Sequence, residues 1–188
     1  LKNDGAKVRP IRNMAGGEDF NEVVFDNVLV PKDRIVGEPG NGWQQVTSEL
    51  AYERSGPERF LSSFRVFVEL VRICGDDPSP HQAAAIGRIA AHFMTLRRMS
   101  LSVAGMLEAG KDVSVEAALV KELGNNFEKL LPEIARLVVP DLSAVDPDKQ
   151  RLFRETFEET LMLSPSFTLR GGTREIMRGV IARGLGLR

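Results

Sequence analysis

The chain has 188 residues, enough for one well-packed core, or for one core and a small additional segment. Lysine and arginine number 25, and aspartate and glutamate number 26. The resulting net charge of -1 gives no basic excess that would attract nucleic acid or an anionic membrane. No apolar run is long enough to span a membrane, and the first residues do not resemble a signal peptide. Nucleic acids and membranes are therefore not expected as partners.

The cysteine and histidine contents argue against disulfides and metal sites. Cys74 is the single cysteine, so an internal disulfide is impossible, and we expect a reducing, cytoplasmic location. His81 and His92 fall on different predicted segments, so no zinc site is expected. The chain lacks an initiating methionine and begins in mid-pattern, which we interpret as part of a longer protein.

Residues 1–38 are predicted to form strands and turns. The segment 20–30 is rich in β-branched and aromatic residues, and Pro31 ends it as an edge or terminal strand would end. Glycine-rich turns precede this segment at 16–17 and follow it at 38–42. A strand or two does not make a stable sheet alone, so we expect this segment to pack against other structure.

From Trp43 the apolar period becomes helical, and Pro57 is expected to kink the first helix or to mark its restart. Its apolar positions are Phe60, Phe64, Phe67, Val68 and Val71. A break at 75–80 precedes a second helix, predicted over about 82–109 and ended by Gly110. Its apolar positions are Ile86, Ile89, Phe93 and Leu96.

A third helix is predicted from Ser114 to Pro140, with apolar positions Leu123, Phe127, Leu130, Leu131, Ile134 and Val138. Asp146 and Pro147 resemble the N-cap and first turn of a short helix that ends near Leu163, and a last helix starts at Thr173. Four or five amphipathic helices with short breaks predict a mainly α fold. We expect an antiparallel four-helix-type up-down bundle over 39–188, preceded by the short β segment over 1–38.

The end of the chain carries the most informative motif. Gly171 and Gly172 allow a backbone to approach a ligand closely, and Thr173 is a good N-cap. The start of the following helix offers unpaired N–H groups and a positive dipole end, which suit a phosphate or an oxyanion.

As a string, residues 172–178 (GTREIMR) resemble the C-terminal signature of the acyl-CoA dehydrogenase family. Residues 19–31 (DFNEVVFDNVLVP) resemble the last strand of that family's middle β-domain, and residues 37–43 resemble the turn into its long helix. Residues 51–54 (AYER) resemble the first turns of that helix. The resemblance therefore implies the C-terminal half of such a protein: the tail of the β-domain over 1–38 and the C-terminal helical domain over 39–188. The nearest likeness is to actinobacterial members that act on steroid side chains as heteromers.

The resemblance implies a chemistry. In this family a carboxylate removes the proton α to the thioester carbonyl of an acyl-CoA, while a hydride leaves the β-carbon for FAD. The implied partners are an acyl-CoA substrate, an electron-transfer flavoprotein as acceptor, and further subunits, with a tetramer expected at full length.

The resemblance also implies site residues. In many members the base is a Glu directly before the Gly-Thr of the signature, where this chain has Gly171. In a minority, similar to isovaleryl- and long-chain acyl-CoA dehydrogenases, the Glu lies on the long helix before an Arg, as Glu53 does here. Glu53 is therefore the expected base. Tyr52 and Arg54 are expected to line the acyl-CoA pocket, and the expected cofactor contacts are Gly172, Thr173, Arg174 and Glu175.

Two segments depart from the family pattern. Residues 73–80 carry acids where an Arg and a Phe-Gly pair normally grip the flavin diphosphate, and residues 137–141 replace a glycine-rich turn. Besides a catalytic subunit, two alternatives therefore stay open: a non-catalytic or half-site subunit of a heteromeric dehydrogenase, and a helical interaction module without flavin. The 188 residues alone are expected to be inactive.

Overall fold

The structure, a computed structural model, describes residues 4–187 and forms two compact units that meet in sequence between Ser48 and Glu49. The predicted mainly α fold with a short β segment is confirmed. In chain order the described elements are β1 (Ala6–Ile11), β2 (Phe20–Phe25), α1 (Gly42–Ser55), α2 (Phe64–Cys74), α3 (Pro80–Glu108), α4 (Ser114–Val138), α5 (Pro147–Leu163) and α6 (Arg174–Gly184). Short 3₁₀ turns lie at Lys32–Arg34, Pro57–Arg59, Leu142–Ala144 and Ser164–Thr168.

The first unit contains an antiparallel hairpin. β1 pairs with β2 in a register that places Ala6 opposite Phe25 and Ile11 opposite Phe20. Within this unit the side chains of both strands are exposed, apart from that of Ala6, which is half-buried. A hairpin of two strands is marginally stable at best in water. The expectation that the β segment packs against other structure stays a prediction.

The predicted strand over 20–30 is too long. β2 ends at Phe25 because Asn27 adopts a left-handed backbone conformation, with φ 49°, and this conformation cannot continue a ladder. After the 3₁₀ turn at Lys32–Arg34, the Gln45 side chain donates a hydrogen bond of 2.9 Å to the carbonyl of Val36. This bond ties the first turn of α1 to the loop before it.

The predicted restart at Pro57 is confirmed. α1 ends at Ser55, the 3₁₀ turn at Pro57–Arg59 follows, and α2 begins at Phe64. α3 begins at Pro80, two residues earlier than expected, because Ser79 and Gln82 form a capping box. Asp146 caps α5 as predicted, since its carboxylate accepts hydrogen bonds from the first-turn N–H groups of that helix.

In the second unit α4 contacts α2, α3, α5 and α6, and the core forms along it. The largest apolar members of this core are Phe60, Leu70, Ile89, Phe93, Leu96, Phe127, Leu131 and Phe153. No helix among residues 4–187 is sufficiently long and apolar to cross a bilayer.

Two predicted apolar faces are partly wrong. In α2 the buried apolar positions are Val66, Leu70 and Ile73, whereas Phe64 and Val71 are exposed. The helix has apolar residues on several sides, so spacing alone does not identify which side faces the core. In α4 the predicted positions Leu123 and Leu130 are exposed, while polar residues take their place inside. The buried members of the α4 prediction are Phe127, Leu131 and Val138.

Candidate active site

The last turn of α1 and the glycine turn before α6 meet at Glu53. The Glu53 Oε1 atom lies 2.8 Å from the position that a Cβ atom would occupy at residue 171, and Oε2 lies 3.4 Å from it. Gly171 has φ 65° and Gly172 has φ 101°, so both adopt backbone conformations that glycine tolerates best. The carboxylate therefore fills the space in which a side chain at residue 171 would stand.

Arg59 donates two hydrogen bonds from its guanidinium to Glu53. Nη2 donates to Glu53 Oε1 at 2.8 Å, and Nε donates to the backbone carbonyl of Glu53, also at 2.8 Å. The side chain of Arg59 is 6% exposed, whereas that of Glu53 is 40% exposed. A half-accessible carboxylate is thus held on one side by a buried cation.

The glycine turn is attached to both α1 and α4. Arg54 Nε donates to the carbonyl of Gly171 at 3.3 Å, and Lys121 Nζ donates to the carbonyl of Gly172 at 2.5 Å. Lys121 belongs to α4 and is fully buried. Two cationic side chains from different helices therefore set the position of the turn that faces Glu53.

A buried carboxylate on α4 fixes Arg170, the residue before the turn. Glu128 of α4, which is fully buried, accepts a hydrogen bond of 2.5 Å from the backbone N–H of Ser62 and one of 2.9 Å from Arg170 Nη2. Arg170 also lies over the ring of Phe167, with 4.8 Å from its guanidinium carbon to the ring centroid. The segment that leads into the glycine turn is thus tied to α4 through the ion pair of Arg170 and Glu128.

The buried charges perturb each other. Burial, reinforced by the positive charges of Arg59 and Arg54, lowers the pKa of Lys121 to about 8. Burial also raises the pKa of the Glu128 carboxyl, although its hydrogen bonds from Ser62 and the charge of Arg170 oppose that shift. Cations outnumber carboxylates around the glycine turn, so the local field favours negative charge there.

The expected cofactor contacts have mixed surroundings. Thr173 occupies the N-cap position of α6 with an extended backbone, but its side chain makes no capping hydrogen bond. Arg174 is held by Glu122, with Nη2 to Oε1 at 2.8 Å, and Arg178 shares the same carboxylate. A hydrogen bond from its own backbone N–H, followed by one from Thr173, lowers the pKa of Glu175, so its carboxylate sits at the start of the helix.

These surroundings fit one part of FAD better than another. Gly172 and Thr173 are half-accessible, which leaves their backbone open to an uncharged group, whereas a Cβ at Gly172 would point at Met177 and Ile176 of α6. The diphosphate does not fit here, because Glu122 engages Arg174 and the Glu175 carboxylate competes for the positive end of α6. The residues present therefore suit the uncharged ring portion of the cofactor. Among residues 4–187 no cluster of His, Cys, Asp and Glu is arranged to hold a metal ion.

Tyr52 lies apart from these groups. With 100° per residue, it shares with Ser55 the side of α1 opposite to that of Glu53 and Arg54. There it lines a groove of about 350 Å³ between the end of α1 and α3. The α3 residues of this groove are Ser100, Ala104, Leu107 and Glu108. The structure thus brings Glu53, Arg54 and the glycine turn together, but not Tyr52.

Sequence reasoning missed the residues that support the turn. Lys121, Asn125 and Glu128 follow each other at helical spacing on α4 and are fully buried, and within the described residues the Asn125 amide has no hydrogen-bond partner. Charged and amide side chains at i, i+4 and i+7 resemble a solvated face in a single sequence. Nothing in the sequence marks Arg59 as part of the site, because its contact with Glu53 depends on the 3₁₀ turn that folds it back onto α1.

Comparisons with known proteins agree with this architecture. The chain is 32% identical over its whole length to the acyl-CoA dehydrogenase IpdE1 of Mycobacterium tuberculosis and 28% identical to IpdE1 of Mycolicibacterium smegmatis, covering 49% and 47% of those proteins. It is also 27% identical over 96% of its length to the acyl-CoA dehydrogenase FadE34 of M. tuberculosis, covering 24% of that protein. No family model matches the chain.

Solved structures show the same fold. The chain aligns with the Tcur3481-Tcur3483 steroid ACAD at a TM-score of 0.79 and 20% identity, covering 99% of this chain and 50% of that one. It aligns with the ChsE4-ChsE5 complex of M. tuberculosis at a TM-score of 0.75 and 24% identity, covering 99% and 50%. The chain spans about half the length of the IpdE1 relatives. Over its whole length the chain is therefore similar to proteins named acyl-CoA dehydrogenases, and it is consistent with the C-terminal half of an actinobacterial member.

Proposed function

We propose that this chain is the part of an FAD-dependent acyl-CoA dehydrogenase that supplies the catalytic base, and that Glu53 is that base. The observation that carries the proposal is the contact between the Glu53 carboxylate and Gly171, the position at which many relatives in the resemblance carry their Glu. A half-accessible carboxylate from α1 thus lies at the glycine turn before α6, although the turn itself contains no acid.

In the proposed reaction the Glu53 carboxylate removes the proton α to the thioester carbonyl of an acyl-CoA. FAD, when bound, accepts the hydride that leaves the β-carbon. Gly172 and Thr173 would hold the ring portion of FAD through their backbone, and Arg54 would line the substrate side of the carboxylate. The side chain of Arg54 already donates to the carbonyl of Gly171, so it contributes to the wall of this site.

The test compares Glu53→Gln with Glu49→Gln in the full-length protein. Glu49 is an exposed residue of α1, one helical turn before Glu53, so it is a matched control. With a panel of linear, branched and steroid-side-chain acyl-CoA thioesters and an artificial electron acceptor, we expect Glu53→Gln to lose turnover about 10³-fold or more while its flavin absorbance is unchanged. Glu49→Gln should match the wild type. Full turnover by Glu53→Gln would refute the assignment.

A second candidate function is a half-site subunit of a heteromeric dehydrogenase, in which another subunit supplies the diphosphate contacts. Two features favour this candidate. Arg174 is already paired with Glu122, and residues 76–77 are acids, so neither place offers an unpaired cation to the diphosphate. The Tcur3481-Tcur3483 steroid ACAD and the ChsE4-ChsE5 complex, which share this fold, support the candidate by analogy. Co-purification with a second dehydrogenase chain, and flavin bound only by the mixture, would favour this candidate over a homomeric enzyme.

The remaining partners follow from the same proposal. An acyl-CoA is the substrate, an electron-transfer flavoprotein is the physiological acceptor, and the full-length protein assembles into an oligomer. A reducing cytoplasmic location is part of the same proposal, because Cys74 is the single cysteine of the sequence. Burial raises the pKa of the Cys74 thiol, which favours its protonated, unreactive form.

A further inference from the structure

Arg59 is the buried cation closest to the candidate base, and no motif of the resemblance includes it. The 3₁₀ turn at Pro57–Arg59 reverses the chain after α1, so that the side chain of Arg59 points back at Glu53. Arginine is mostly exposed in proteins unless it is paired, and the side chain of Arg59 is 6% exposed. Its ion pairs among the described residues are with Glu53 at 2.8 Å and with Glu58 at 3.8 Å.

The backbone of Arg59 is fixed from behind by α4. The carbonyl oxygen of Arg59 lies against Gly124, at a separation that a Cβ atom on residue 124 would not permit. The backbone N–H of Arg59 donates to the carbonyl of Gly56 at 3.1 Å. The guanidinium is therefore presented from a rigid turn, which is the arrangement expected of a group that positions another side chain.

We infer that Arg59 is the positioning residue of the base, and that it makes Oε2 of Glu53 the oxygen that takes the proton. This inference rests on the proposed function. Oε1 accepts the hydrogen bond from Arg59 Nη2, whereas no residue among 4–187 donates a hydrogen bond to Oε2. When the proton moves from the substrate α-carbon, the C–H bond breaks, an O–H bond forms at Oε2, and the electron pair stays with the carbon.

The charges around Glu53 come from several elements. Arg54 of α1 and Arg59 of the 3₁₀ turn are cations beside the carboxylate, and Glu58 forms a longer ion pair with Arg59 at 3.8 Å. Lys121 of α4 and Arg170 of the segment before α6 add positive charge close to Arg59. Removing Arg59 therefore takes away the cation that is hydrogen-bonded directly to the Glu53 carboxylate.

The test measures two quantities in the full-length protein: the rate of flavin reduction at a saturating concentration of an acyl-CoA from the proposed panel, and the acyl-CoA concentration that gives half of that rate. For Arg59→Gln we expect a loss of at least about tenfold in the saturated rate and an unchanged half-saturating concentration. Arg59→Lys keeps the charge but not both hydrogen bonds, so its saturated rate should fall less than that of Arg59→Gln. The matched control, Arg136→Gln, removes an exposed partner of Glu133 on α4 and should change neither quantity.

Other outcomes would overturn the inference without touching the proposed function. If Glu53→Gln is inactive but Arg59→Gln keeps the wild-type rate, Arg59 does not position the base. Equal losses of rate in Arg59→Gln and Arg59→Lys, together with a raised half-saturating concentration, would show a purely structural role. If Glu53→Gln stays active, the proposed function itself fails. A crystal structure of Arg59→Lys gives a reading independent of turnover: the inference expects the Glu53 carboxylate to leave Gly171, and an unmoved carboxylate contradicts it.

Discussion

The Glu53 carboxylate occupies the space that a side chain at residue 171 would need. Glu53 Oε1 lies 2.8 Å from the position that a Cβ atom of residue 171 would take, so a side chain there would displace the carboxylate. A glycine in the signature and a glutamate on the long helix are therefore two parts of one arrangement. The absence of an acid at residue 171 is explained by the presence of one at residue 53.

A methyl group at residue 171 should displace the candidate base. Gly171→Ala adds a Cβ in contact with the Glu53 carboxylate and also strains a backbone with φ 65°. We expect a loss of about 1–3 kcal/mol in the free energy of unfolding and a loss of turnover beyond what that destabilisation explains. Denaturant unfolding and steady-state kinetics on the same preparations check both effects.

Gly110→Ala is the control that separates the effect of backbone strain from the effect of displacing the Glu53 carboxylate. Gly110 has φ 69°, close to that of Gly171, but a Cβ at residue 110 meets nothing within 4 Å. This variant should lose a similar amount of stability and keep its turnover. Equal turnover in the two variants would contradict the displacement.

The buried ammonium of Lys121 predicts a pH-dependent stability. Its pKa is lowered from 10.5 to about 8, so between those two values the unfolded chain binds more protons than the folded protein, and stability rises with pH. The free energy of unfolding of the wild type, minus that of Lys121→Met, should therefore increase from pH 8 to pH 10.5 by roughly 3 kcal/mol. Urea titrations at pH 7, 8, 9 and 10 measure it. A difference that is flat or falls with pH would be inconsistent with a buried charged lysine.

The pair of Glu128 and Arg170 predicts a strong coupling. Arg170→Met leaves the buried Glu128 carboxylate without its cation, which should destabilise the fold by about 3 kcal/mol near neutral pH. Burial raises the pKa of Glu128, so as the pH falls toward that pKa the carboxyl protonates and the loss should shrink. A double-mutant cycle with Glu128→Gln measures the coupling at pH 5 and pH 7. Additive single losses would mean that the two side chains do not interact.

Gly124 should not tolerate alanine, although it lies within α4. A Cβ there meets the backbone carbonyl of Arg59 and the Cβ of Phe60, so Gly124→Ala should destabilise the fold by about 1–3 kcal/mol. Gly105 of α3 is the matched control, because a Cβ there meets nothing within 4 Å. Gly105→Ala should instead stabilise the protein by about 0.5–1 kcal/mol. Thermal unfolding of both variants tests the contact, and a stabilised Gly124→Ala would contradict it.

The helices could be predicted from sequence because their apolar spacing, prolines and caps are local signals. The helical restart at Pro57 and the cap at Asp146 depend on neighbouring residues, and both are present in the structure. The strand over 20–30 was predicted too long because the left-handed backbone of Asn27 has no strong signal in a residue other than glycine.

Only part of the candidate site could be predicted from the sequence. Glu53 and the glycine turn stand out through resemblance, but Lys121 and Arg59 do not, because their contacts join residues 51 and 6 positions apart. A buried lysine on α4 looks like an exposed one until the turn that accepts its hydrogen bond is in place. The 100° step between successive helical residues turns Tyr52 away from Glu53, but the groove that Tyr52 lines also needs α3, whose position the sequence does not give.

The most direct test of the account is exchange of the substrate α-proton with solvent, because it reports on the base alone. The full-length protein with bound flavin is incubated in D₂O with an acyl-CoA that it binds, and deuterium at the α-carbon is measured by mass spectrometry. The account predicts that the wild type and Glu49→Gln incorporate deuterium and that Glu53→Gln does not. Deuterium incorporation by Glu53→Gln at the wild-type rate would contradict the assignment of Glu53 as the base.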